Sequence, residues 1–424
     1  MAVDTPKSLR QQVMYSVFVR NYSPEGTFEA LERDLPRLKA LGVDVVWLMP
    51  IYPIGRVCRK GTLGSPYAIR DYRAVNPEYG TLEDFVRLTE AIHAQGMRVI
   101  IDVVYNHTSP DSVLVETHPE WFYRKPDGGF GNHVGDWSDI IDLDYNHPDL
   151  WDYQIGTLKY WAQWVDGFRC DVAPLVPLDF WKRARAEVAK VRPDALWLAE
   201  SVEPGFITDL RAQGLTALSD GETYQAFDVC YDYDIAGEFV AAATGEGSLS
   251  DYCAAVNRQE YIYPDNYVKL RFLENHDRPR AAALLPRRLE AWTAFAFFQK
   301  GMTLLYNGQE AGCARRPGLF DRDVIDWNSG RDLSELIRRL SRVKRHPLMA
   351  EGAYRVWAAP DGALRAEYRK GDRRLLGFFP VGPVAAPQRV DLPDGDYPNL
   401  LGGAPVHVAC GLLAATEDAA VLEA

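Results

Sequence analysis

The run Gly167-Phe168-Arg169-Cys170-Asp171 reads as a short buried strand that ends on an acid. Side chains alternate across a strand, so Arg169 and Asp171 share one face while Phe168 and Cys170 take the other. A guanidinium beside a carboxylate favours the anion, so Asp171 is expected to be ionised. An ionised aspartate fixed at a sheet end is a candidate nucleophile. An ordinary Arg-Asp pair accounts for the same five residues, and only the surrounding chain separates the two readings.

Working outward, residues 13–19 read as a first strand and 28–41 as an amphipathic helix closed by Gly42. The run 43–49 is continuously apolar and stops at Pro50, as a strand buried on both faces does. Residues 81–95 repeat helix spacing, with Thr81 as cap, Asp84 in the first turn and Gly96 at the end. A buried strand follows at 98–104. Beyond the opening run come a helix at 178–190, preceded by one at 149–165, and a strand at 196–199. Further strands are expected at 216–219, 269–273 and 303–306. Eight strand candidates, each followed by helical sequence, predict an α/β fold, a closed (β/α)8 TIM barrel. An open doubly wound sheet is the alternative, but the first strand is followed by no Gly-rich phosphate loop.

The rhythm breaks between His107 and His147, a stretch rich in Gly, Pro, Asp and His with no clear helix, which reads as a short inserted lobe after the third strand. After about Leu348, short alternating runs separated by Gly, Asp and Pro predict a small C-terminal antiparallel β-domain. The expected division is 1–106 with 148–347 for the barrel, 107–147 for the lobe and 348–424 for the C-terminal domain.

The chain has 424 residues and a formal net charge of -12, which argues against a nucleic-acid partner. Its aromatic share of 12% in an acidic protein suits a neutral ligand such as a sugar. The six cysteines show no pairing pattern, as expected of a reducing compartment. The polar N-terminus lacks an apolar signal core and no apolar run is long enough to span a membrane, so a cytoplasmic protein without membrane contact is expected.

In such a barrel the C-terminal strand ends build the site. They supply Asp102, Asn106 and His107 after the third strand, Arg169 and Asp171 at the fourth, and Glu200 at the fifth. Asn275, His276 and Asp277 follow the seventh, and Asn307, Gln309 and Glu310 the eighth. Each alone has a plain structural reading: Asp102 as a buried pair, Asn106 as a turn residue, the histidines as satisfied core groups. Glu200 alone would be a first-turn acid and Asp277 a surface partner of Arg278. Three carboxylates on three strand ends, with two histidines and an arginine, suit acid/base chemistry on a glycosidic bond. A metal centre is the competing use of such a cluster, but no HExxH or other compact ligand spacing is present.

The motifs DVVYNH (102–107), GFRCD (167–171), WLAES (197–201) and FLENHD (272–277) occur in this order, flanked by VDVVWLMPIYP (43–53), SPYAIRDYRAVNPEYGT (65–81) and GMTLLYNGQE (301–310). In this the chain resembles the α-amylase family, glycoside hydrolase family thirteen. The resemblance covers roughly residues 10 to 345. It implies Asp171 as nucleophile, Glu200 as general acid/base and Asp277 as a stabiliser of the transition state. It further implies that His107 and His276 hold the sugar at the cleavage point, that Tyr67 stacks under it, that Arg169 orients Asp171, and that Asp102 supports the set from behind. The implied reaction is retaining hydrolysis of α-1,4-glucosidic bonds in maltodextrin or starch. A transglycosylase or α-1,6-cleaving relative is the alternative, and a non-catalytic sugar-binding barrel is the reading from another class. The implied partner is an α-glucan oligosaccharide.

One departure stands out. Many family members follow the nucleophile motif with a Lys-His pair used in leaving-group subsites and in holding calcium, whereas this chain has Pro174 and Leu175. Asn106, the family's usual calcium ligand, is retained. No cofactor is expected to be required, and a calcium ion at Asn106 is expected to be structural if present.

Overall fold

Eight short strands, each buried on both faces, close into a parallel barrel in the computed structural model, which describes all residues except 1–3, 136, 330, 361, 383–386 and 415–417. They are β1 Val13–Val17, β2 Val45–Leu48, β3 Arg98–Val103, β4 Gly167–Cys170, β5 Leu196–Ala199, β6 Val229–Tyr231, β7 Val268–Arg271 and β8 Met302–Tyr306. Around the ring the order is β1-β8-β7-β6-β5-β4-β3-β2. Helices cover the outside and hold the core, in which Trp47, Trp161, Trp181 and Trp197 are fully buried.

Local chemistry sets the element ends. The helix Phe28–Leu41 begins where the Thr27 side chain accepts the Ala30 N–H, and it stops at Gly42, whose φ of 91° suits glycine. Thr81 and Asp84 form a reciprocal capping box at the start of Leu82–Ala94. Both ends match the sequence expectation.

Two expectations are corrected. Residues 216–219 form no strand; the sixth barrel position is taken by Val229–Tyr231, which pairs with β5 and β7. The stretch after β3 is not free of helix, since Val113–Thr117 is helical and Pro119–Trp121 forms a 3-10 turn. That stretch is tied together by a two-stranded ribbon, His107–Thr108 against Ile141–Asp142.

The C-terminal part holds two antiparallel four-stranded sheets. The first, built from Ala353–Ala358, Leu364–Lys370, Arg373–Phe379 and Ala420–Glu423, shares its apolar face with the barrel's core through Tyr354, Tyr368 and Phe379. The second sheet packs on the other face of the first over a separate small core around Leu376, Val408 and Leu422.

Candidate active site

Register on the barrel wall starts the site. Asp102 on β3 is paired in register with Arg169 on β4, so both side chains enter the barrel interior at one level. Both are fully buried. Arg169 Nη1 donates to Asp102 Oδ1 and Oδ2 at 2.8 and 3.0 Å and to Asp171 Oδ1 at 2.7 Å. Its Nη2 stands 2.9 Å from Glu200 Oε2 as an ion pair, out of line for a hydrogen bond. One guanidinium thus carries three carboxylates from β3, β4 and β5.

The step from Asp171 to Val172 adds a second link. Val172 has φ 35° and ψ 44°, a left-handed conformation that β-branched residues avoid. The turn aims its N–H at Glu200 Oε2, 2.8 Å away. The strain is spent where it fixes a carboxylate.

Asp277 arrives from the other side of the barrel. The Asn275 side chain accepts the N–H groups of Asp277 and Arg278 at 2.9 and 3.0 Å, a turn that swings Asp277 into the cleft. Its Oδ2 lies 3.0 Å from His276 Nε2, which is also 2.7 Å from the Tyr67 hydroxyl. The Tyr67 ring stacks on His276 with centroids 5.4 Å apart, and its hydroxyl donates to Asp102 Oδ2 at 3.2 Å. His107 is buried beside Trp137. The residues lining the shared cavity, about 330 Å3, include Tyr67, His107, Asp171, Glu200, His276 and Asp277. Arg169 and Asp102 lie beneath it. All eight candidate catalytic and sugar-holding residues therefore meet at one place.

Charge states follow from burial. Burial pushes the Asp171 carboxyl up to about 7 against the pull of Arg169, and does the same to Glu200, again to about 7. The expectation that Arg169 keeps Asp171 ionised is opposed by burial, the larger of the two effects on that carboxyl. Asp102 is raised to about 6 by burial, with Arg169 opposing. For Asp277, whose side chain is 46% exposed at the open side of the cleft, partial desolvation is outweighed by the neighbouring His276 ring and by Arg169, which hold it down at about 2. Burial lowers His107 to about 4, so its ring is neutral at neutral pH.

The remaining strand-end residues serve the frame. Asn307 Oδ1 accepts the Phe18 N–H, Gln309 Oε1 the Tyr306 N–H, and Glu310 takes Tyr15 and Arg37. A larger cavity of about 710 Å3 lies outside the barrel beside Glu310, but there Arg37 already pairs with both Asp34 and Glu310. Sequence reasoning missed Val172, Lys60, Trp137, Asp139 and Phe320, which also border the catalytic cavity. None lies in a motif, and only the aromatic character of Trp137 and Phe320 marks them as rings on which a flat ligand could stack.

The residues around Asn106 do not fit a calcium ion, which wants six to eight oxygens. Asp142 Oδ2 is occupied by the backbone N–H and Nδ1 of His133, each at 2.7 Å. Its Oδ1 faces the Asn106 amide nitrogen at 3.4 Å, and that nitrogen is also 3.2 Å from His107 Nδ1. Leu175 brings an apolar side chain to the same cleft. Among the described residues no group of three His, Cys, Asp or Glu is placed to hold a metal.

The model of the alpha amylase catalytic domain matches residues 8–121 and 118–349, and that of the bacterial alpha amylase C-terminal domain matches 355–422. An alpha-amylase from Lactobacillus plantarum, of known crystal structure, is 49% identical with a TM-score of 0.97, over 99% of this chain and 100% of that one. Alpha-amylase MalA of Haloarcula japonica is 28% identical over 94% of this chain and 60% of its own length. An alpha-1,4-glucan:maltose-1-phosphate maltosyltransferase of Pseudomonas aeruginosa is 34% identical over 78% of this chain and 52% of its own. The chain thus spans between half and two thirds of these two curated relatives.

Proposed function

The chain belongs to the alpha-amylase family, and we propose that it is a retaining glycoside hydrolase that cleaves α-1,4-glucosidic bonds of soluble maltodextrins. The observation that carries this is the single guanidinium of Arg169 touching both Asp171 and Glu200, at 2.7 and 2.9 Å. Retaining enzymes hold their two carboxyls about 5–5.5 Å apart, while inverting ones leave a wider gap for water. Two carboxyls on one guanidinium suit the closer arrangement.

In this reading Asp171 Oδ attacks the anomeric carbon as the glycosidic C–O bond breaks, and Glu200 gives its proton to the departing oxygen. Water then attacks the glycosyl-aspartate, Glu200 takes its proton, and the anomeric configuration is restored. Asp277, ionised and facing the cleft, stabilises the positive charge that develops on the ring. Tyr67, His107 and His276 hold the sugar over Asp171. The resting site suits its double task, because Glu200 retains a proton near neutrality while the carboxylate pair as a whole carries negative charge. No metal is needed for these steps, and a reducing compartment suits the thiols.

A second reading has a sugar hydroxyl, not water, as acceptor; it is favoured by the likeness to relatives named maltosyltransferases. Maltoheptaose followed by proton NMR and by product length over time separates the readings. Hydrolysis gives α-anomers first and only shorter products. Products longer than the substrate would establish transfer, and β-anomers appearing first would overturn the retaining mechanism.

A further inference from the structure

Three loops that rise from different strands are riveted to one another along one side of the catalytic cavity. Lys60, in the loop after β2, pairs through Nζ with Asp139 Oδ1 of the stretch after β3 at 2.9 Å. Both residues border the cavity, and the Asp139 side chain is only 6% exposed. Lys60 Nζ also sits 5.9 Å from the centroid of Phe320, in the loop after β8. Beside it, Thr62 donates through N and Oγ1 to Asp321 Oδ1 at 2.8 and 2.6 Å. The Leu63 and Gly64 N–H groups donate to the Phe320 carbonyl at 3.0 and 3.1 Å. From below, the buried Arg20 after β1 donates to the carbonyls of Gly64 and Leu319, each at 3.0 Å. The packing leaves no slack: a Cβ on Gly61, which has φ 63°, would stand 2.6 Å from that of Phe320.

The position of this wall in the ring decides what it blocks. It is built over β8, β1, β2 and β3, with its centre between β1 and β2, and the ring order places β5 and β6 diametrically across from those two. Glu200 follows β5. If Glu200 protonates the departing oxygen, the leaving part of the chain exits on the Glu200 side and the glycone points toward the riveted loops. We propose that the Lys60–Asp139 pair and the loops strapped to it close the glycone end of the cleft, so that the enzyme takes α-glucan chains from their non-reducing ends and Lys60 and Asp139 set that specificity. This rests on the hydrolase reading above. A chain threading through would have to part the pair and leave the nearly buried Asp139 carboxylate without its partner.

The test uses p-nitrophenyl α-maltoheptaoside with its non-reducing end free or capped by a bulky acetal, with products resolved by chromatography. The wild-type protein should release one short unlabelled product from the free substrate and cut the capped one about a hundredfold more slowly. Lys60→Ala and Asp139→Ala should each raise the capped-to-free rate ratio about tenfold or more, with Lys60→Met keeping the low ratio less well than wild type because it fills space without the ion pair. Equal rates on capped and free substrate in the wild type overturn the end-closure while leaving the hydrolase reading intact. A ratio unmoved in all variants that still cut the free substrate overturns the role of the pair. No cleavage of either substrate by the wild type sinks the hydrolase reading itself, and this inference with it.

Discussion

Asp171 and Glu200 are costly residues to bury, and their cost has a sign. Both have folded values raised to about 7 by burial, above the roughly 4 of an unfolded carboxylate. Between those limits the native chain holds more protons than the unfolded one, so the protonated acids favour the fold at low pH and that contribution is lost as pH rises through about 7. Asp171→Asn removes one titrating group while keeping an acceptor for Arg169. Its melting temperature relative to wild type should therefore rise more at pH 8 than at pH 4.5, even though its turnover falls by at least about three orders of magnitude. Calorimetry at the two pH values checks this, and a gain that is larger at low pH would refute it. The same shifts predict a bell-shaped profile of kcat/KM peaking near neutrality. In the proposed mechanism acid protonates the Asp171 nucleophile and base removes the Glu200 proton, so Glu200→Gln should abolish the alkaline limb in whatever activity remains. The identities of these residues were legible in the sequence because each sits at a strand end within a local motif. Val172 was not, since nothing in its side chain announces the φ of 35° that aims its N–H at Glu200.

At the scale of elements, the sequence located seven of the eight barrel strands and misplaced one. β6 is three residues long and is followed by Asp232, while Asp228 before it accepts the Trp197 N–H at 3.0 Å. So brief a strand flanked by acids has no period of its own, and it is made a strand by neighbours on both sides, which is tertiary information. The helix at 28–41, with its own cap and its own closing glycine, needed no such help. The loops were unreadable for a related reason: Lys60 and Asp139 meet only because separate loops converge, and His133 meets Asp142 only where one stretch folds back on itself. The latter pair makes a prediction. Because the His133 backbone and ring occupy Asp142 Oδ2, a chelator should leave the initial rate and the melting temperature nearly unchanged. His133→Ala should lower the unfolding free energy by about 1–3 kcal/mol, as for a lost buried hydrogen bond, and the melting temperature with it. Loss of activity in EDTA that calcium restores would count against this reading of the ribbon.

At the scale of the whole molecule, the six cysteines divide by position. Cys170, Cys230, Cys253 and Cys313 are buried, whereas Cys58 and Cys410 are exposed. Burial pushes the Cys170 and Cys230 thiols well above their ordinary range and Cys253 up to about 12, which keeps them from reacting as thiolates. Alkylation of the native protein without reductant should mark Cys58 and Cys410 quickly, and denaturation should bring the total to six by mass spectrometry. Fewer than six would reveal a disulfide. The first C-terminal sheet, sharing Tyr354, Tyr368 and Phe379 with the barrel's core, makes the chain one folding unit over most of its length. That sharing was invisible in the sequence, where only the change of texture near Leu348 could be seen. At the centre of this unit a lone arginine answers to three acids. A pocket so furnished is hospitable to positive charge. In the proposed reaction the guest matches the room best when its ring carbon turns cationic, and a product that has lost that charge would be held less tightly.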